Sequence, residues 1–74
     1  MNNEINDKLF KSKMAEFGDT QVTLAAALNL PQSAISARIK GKVPFKKNEM
    51  AVIRNRYNLS NESMIRIFFP EKVS

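Results

Sequence analysis

A chain of 74 residues makes one small domain, and one of that size buries only about 60% of the surface its unfolded form exposes. It contains neither cysteine nor histidine, which excludes disulfides, thiolate metal sites, the usual zinc ligands and the Ser-His and Cys-His nucleophile pairs. Its seven acidic residues are scattered, so no enzyme activity, metal or cofactor is expected. The net charge of +5 suits a polyanionic partner, although a charge of that size also serves plain solubility.

No apolar run approaches the roughly 20 residues that span a bilayer. The opening MNNEINDK lacks the basic start and apolar centre of a signal peptide. A cytoplasmic protein with no membrane partner is the expectation.

Residues 1–3 are expected to fray. Ile5, Leu9, Phe10, Met14 and Phe17 then fall at helical spacing and predict a first helix over about residues 4–17. Glu4 and Asp7 stand near its positive end, and Lys8, Lys11 and Lys13 lie towards its middle and end, as its dipole favours. Lys11 and Lys13 read as a solvated face, with phosphate contact as the alternative. Gly18 and Asp19 close the helix.

A second helix is expected over about residues 20–28, with Leu24, Ala25 and Leu28 on one stripe and Thr20 as its cap. The run Ala25-Ala26-Ala27 favours helix and lets a neighbour approach closely. Asn29 tolerates the left-handed backbone that ends a helix, and Pro31 fits the first turn of the next. A third helix over about residues 32–40 buries Ile35 and Ile39, and Gly41 stops it. Two short helices around such a turn make the helix-turn-helix plan, whose second helix docks in the DNA major groove.

Pro44 disfavours helix at Val43, and Phe45 is expected to plug the core beneath the third helix. A fourth helix over about residues 46–57 places Met50, Ile53 and Tyr57 on one face, and Asn58 terminates it. Leu59 anchors the next turn. Ser60 caps a fifth helix over about residues 61–69, with Glu62 in its first turn, and Pro70 ends it. The tail from Glu71 onward is expected to be disordered. The coarse reading is a compact all-α domain of five helices.

The positions of Gln21, Leu24, Ala25, Leu28, Gln32, Ile35 and Gly41 resemble those of phage Cro- and CI-type repressors. Gly41-Lys42-Val43-Pro44-Phe45-Lys46, with Glu49 and the closing Ile67-Phe68-Phe69, resembles a narrower group of small phage proteins, the Cro-like regulators. The likeness spans roughly residues 17–69. Asn29 stands where the family commonly has glycine, and Pro31 where it commonly has a serine or threonine cap. The resemblance implies a lambda-repressor-like helix-turn-helix fold and a phage or prophage transcriptional regulator, acting as a repressor in a lysis–lysogeny switch and binding double-stranded DNA.

On the third helix Gln32, Ser33, Ser36, Ala37 and Lys40 lie towards the side opposite or flanking the isoleucines. The resemblance places Gln32, Ser33 and Ala37 at base edges, where the Gln amide pairs with adenine, the Ser hydroxyl donates or accepts, and the Ala methyl packs on thymine. Candidate phosphate contacts are Thr20 and Gln21 at the start of the second helix, whose free N–H groups favour anions and where the resemblance matches Gln21 to a phosphate-binding residue, and Lys40, Lys42, Lys46 and Lys47 around the end of the third. Arg38 reaches either a phosphate or the ring of Phe45.

The fifth helix carries more apolar groups than one stripe holds. Ile65 and Phe68 are assigned to the core, leaving Met64, Ile67 and Phe69 for self-association or a partner. The base-reading face is chemically thin. A rival reading therefore keeps the same shape but gives it a phage CI-type repressor as partner, in the manner of an antirepressor.

Overall fold

The computed structural model describes residues 4–72. They form α1 (Asp7–Glu16), α2 (Gln21–Ala27), α3 (Gln32–Ile39), α4 (Lys47–Arg56) and α5 (Asn61–Phe68), then a 3-10 turn at Pro70–Lys72. No strand occurs among the described residues. The expected fraying of residues 1–3 lies outside the described residues, as does the expected disorder of residues 73–74. Glu71 and Lys72 belong to the 3-10 turn, contrary to the expectation of a disordered tail.

Local chemistry sets the helix ends. Asn6, rather than Glu4, starts the first helix: its side-chain oxygen accepts the Leu9 N–H at 3.1 Å. Ile5 therefore precedes α1, in the position of a hydrophobic staple whose partner position is Phe10, and both are buried. The Asn6 N–H donates to the Ile67 carbonyl at 2.8 Å and ties this segment to α5. Thr20 and Ser60 cap α2 and α5 as expected. Pro31 precedes α3 without a side-chain cap.

Four helices end in the same way. Gly18, Asn29, Gly41 and Asn58 have φ of 67°, 57°, 82° and 51°. After each, the next N–H reaches back five residues, as in Asp19 to Met14, Leu30 to Ala25, Lys42 to Ala37 and Leu59 to Arg54. This is the Schellman arrangement, which satisfies carbonyls that a helix end would leave orphaned. Glycine suits the left-handed backbone because it has no Cβ, and asparagine tolerates it.

The core takes Phe10 and Met14 from α1, Leu24 and Ala25 from α2, Ile35 and Ile39 from α3, Ile53 from α4, and Ile67 and Phe68 from α5. Phe10 is its hub. Its ring meets Phe45 edge-on at 5.7 Å, Tyr57 at 6.2 Å and Phe68 at 6.0 Å. Phe45 is buried as expected, and it also meets Phe68 edge-on at 5.4 Å. Such edge contacts add about 0.5–1.5 kcal/mol each beyond burial. They close the loop after α3 onto α1 and α5. The Cα radius of gyration is 11.3 Å, which matches the roughly 11 Å of a compact chain of this length.

Two assignments in α5 are reversed. Ile67 is fully buried, so it is not left over for a partner, and Ile65, expected in the core, is 41% exposed. Met64 packs half-buried against the core, Phe68 is buried as expected, and Phe69 is 39% exposed. Phe17 ends α1 exposed, with its ring tilted against Tyr57 at 5.6 Å.

Candidate nucleic-acid interface

The two isoleucines of α3 decide which side of it is free. Ile35 and Ile39 are buried, so residues on the far side of the helix are turned outward. Gln32 and Ser33 are exposed, Ser36 and Ala37 half-buried, and Lys40 exposed. Ser33, Ser36 and Ala37 thus share the far side, whereas Gln32 falls only about 60° from Ile35 and is exposed because it is the first residue of the helix. The polar side chains among them, Gln32, Ser33 and Ser36, make no hydrogen bond to the described residues. Their polar atoms are free for an outside partner.

The phosphate candidates divide into two groups. Thr20 is exposed, but its hydroxyl accepts the Thr23 N–H at 3.2 Å and its own N–H donates to the Thr23 hydroxyl at 2.8 Å. Gln21 is half-buried beside it at the first position of α2. The carboxylate of Asp19 lies at the same helix start, where it accepts the Thr23 hydroxyl. Two further groups hold that charge: Arg56 donates from Nε at 2.6 Å and from Nη2 at 2.9 Å, and the Tyr57 hydroxyl donates at 2.6 Å. The Arg56 hydrogen bond, helped by Thr23 and Tyr57, outweighs burial and keeps the Asp19 carboxyl well below the usual carboxylate range. Asp19 therefore remains an anion, and Arg56 offsets its charge locally.

The second group is more exposed. Lys40, Lys42, Lys46 and Lys47 all face solvent. Lys40, Lys42 and Lys47 make no ion pair with the described residues. Elsewhere Lys11 pairs with Asp7, Lys13 with Glu16, Arg56 with Asp19 and Arg66 with Glu62. Residues 20–48 contain Arg38 and these four lysines but no acid at all. Positive charge is thus left unneutralised where α3 gives way to α4. Lys46 and Lys47 also stand at the positive end of the α4 dipole, a position that disfavours cations by about 0.3–1 kcal/mol each. Helix stability does not account for them there.

Arg38 takes neither of its expected places. It is 8% exposed and points into the protein, where Nε and Nη2 donate to the two oxygens of Glu49 at 2.9 and 3.3 Å. Its Nη1 donates to the Ala34 carbonyl at 3.2 Å. Glu49 is 5% exposed and also accepts the Lys46 N–H at 2.9 Å. Burial pushes the Glu49 carboxyl up, but the Lys46 N–H and Arg38 outweigh it and the group is held below its ordinary range.

Sequence reasoning missed this pair and the Asp19–Arg56–Tyr57 cluster. A signal existed for Arg38: at 100° per residue it falls about 60° from Ile35 on the helix, on the buried flank. Nothing local marked Asp19 and Arg56, which are joined only by the tertiary fold. Among the described residues no group of three or more acids could hold a metal, and no helix is long and apolar enough to cross a membrane. No family model matches the chain, and no curated protein or solved structure compared with it matches either.

Proposed function

We propose that this chain is a DNA-binding transcriptional regulator of the Cro-like, lambda-repressor-like helix-turn-helix type, which lays α3 in the major groove. One observation carries the reading. An unengaged polar strip, Gln32 to Ala37, adjoins four exposed lysines in a stretch of chain without acids. At 1.5 Å per residue the eight residues of α3 are about 12 Å long, comparable to the width of the major groove.

In this reading Gln32 makes paired hydrogen bonds to a base edge, Ser33 and Ser36 supply hydroxyls, and Ala37 packs on a thymine methyl. Gln21 and the lysines hold phosphates. The role needs no cofactor and no catalysis, and repression follows from occupying an operator in the cytoplasm of a bacterial host.

Magnitudes bear on the stoichiometry. A good bidentate contact gives about 1–3 kcal/mol of base discrimination, whereas specific complexes exceed non-specific ones by about 4–10 kcal/mol. Gln32 alone falls short, so two copies on two half-sites are part of the proposal. The exposed Ile65 and Phe69 favour a second reading, a modulator that binds a phage CI-type repressor.

A mobility shift on the DNA flanking the gene, with and without the neighbouring repressor, separates the two. Binding by the chain alone supports the regulator. Binding only when the repressor is present supports the modulator, and no shift in either case removes both.

A further inference from the structure

We infer that Arg38 and Glu49 form a positioning pair, which sets the phosphate-holding lysines in register with the base-reading strip of α3. The inference rests on the DNA-binding reading above and adds residues to it that touch no DNA.

The geometry is a three-point tie. The Arg38 guanidinium holds the Ala34 carbonyl, next in the chain to Ser33, and grips both oxygens of Glu49. Glu49 in turn holds the Lys46 N–H. Reading helix, loop and α4 meet at one carboxylate. Residues 43–45 donate no backbone hydrogen bond to the described residues, so Lys46 N–H to Glu49 is the loop's next backbone tie after Lys42. Phe45 anchors the loop to the core and the Met50 N–H holds the Lys46 carbonyl at 2.9 Å, so the Glu49 bond fixes the peptide on the loop side of Lys46.

Stability alone gives little reason for the pair. Replacing a buried ion pair with apolar groups of similar volume is often neutral or stabilising, because desolvation cancels most of the attraction. What apolar groups cannot supply is direction. The guanidinium fork fixes distance and angle together, which a single ammonium does not. Arg38 also neutralises the first acid that follows the lysines in the chain, so Glu49 does not compete with phosphate for them.

The test compares the wild-type protein, R38K and the double variant R38M/E49L. Each is titrated by anisotropy against two probes: a duplex recovered by selection from a random pool, and a random-sequence duplex. Far-UV circular dichroism and thermal melts report folding. For both variants we expect at least tenfold weaker binding to the selected duplex, with binding to the random-sequence duplex at low salt within threefold of wild type. The salt slope on the selected duplex should also become shallower by about one or two phosphates.

R38K keeps every charge, so if it matches wild type on both probes the positioning role is overturned while the DNA-binding reading stands. A folded R38M/E49L that keeps wild-type affinity and salt slope overturns it equally. If R38M/E49L does not fold, R38K alone decides. If the wild-type protein binds neither duplex, the DNA-binding reading itself falls and takes the inference with it.

Discussion

Replacing Lys42 with alanine should weaken DNA binding in a way that salt reveals. Lys42 is exposed and has no ion pair with the described residues, so its removal should alter stability by no more than about 0.5 kcal/mol. Each phosphate neutralised contributes about −0.9 to the slope of log affinity against log salt. Lys40, Lys42, Lys46 and Lys47 acting together give a slope of about −3.6, hence a loss of roughly 150-fold in affinity between 50 and 200 mM salt. Without Lys42 the slope should be about −2.7 and the loss roughly 40-fold. Fluorescence anisotropy on one duplex at four or five salt concentrations measures both. Lys11, which pairs with Asp7 at 3.9 Å on α1, is the control, and K11A should keep the wild-type slope. A wild-type slope near zero would refute the phosphate assignment, and so would an equal change from K11A and K42A.

Further outcomes follow from packing and charge. I67A empties a fully buried site and should cost about 2–5 kcal/mol, lowering the melting temperature by at least about 8 °C. I65A should stay within about 0.5 kcal/mol of wild type, and equal losses from the two would contradict the burial of α5. D19N should cost about 2 kcal/mol at neutral pH by loosening Arg56 and Tyr57. Because the Asp19 carboxyl is depressed in the folded state, its contribution is complete above the unfolded value of about 3.9 and is lost as pH falls below it. The acid limb of a stability–pH curve should therefore flatten in D19N, and an unchanged limb would contradict the cluster. At the other extreme, burial and then Asp19 raise the Tyr57 phenol. Stability held by the neutral phenol is complete below about pH 10 and declines above it, and Y57F should lack that decline.

Much of the fold was legible because its punctuation is local. Asn29, Gly41 and Asn58 stop helices by their own backbone tolerance, Thr20 and Ser60 cap by their own hydroxyls, and Ile35 and Ile39 lie one turn apart on α3. Two things were not local. Met64, Ile67 and Phe68 form one arc of α5, while Ile65, Phe68 and Phe69 form another of nearly equal apolarity. The tie from Asn6 to Ile67 distinguishes them only in three dimensions. The start of α1 was misplaced because Ile5 fits the helical period while standing outside the helix, where Asn6 caps it.

The candidate site divides in the same way. Ser33, Ser36 and Ala37 follow from the period of α3, Gln32 from its place at the helix start, and the rest from the lysines themselves. The partners that orient it, Arg38 with Glu49 and Asp19 with Arg56, are separated by 11 and 37 positions and lie on different elements, which only the tertiary fold brings together.

Amide chemical-shift mapping of the ¹⁵N-labelled protein during titration with duplex DNA bears most directly on α3 as the element that meets nucleic acid. The largest changes should fall at Gln32, Ser33, Ser36 and Ala37, with a second group at Lys40, Lys42, Lys46 and Lys47. Changes centred on Ile65 and Phe69, or none at saturating duplex, would contradict it.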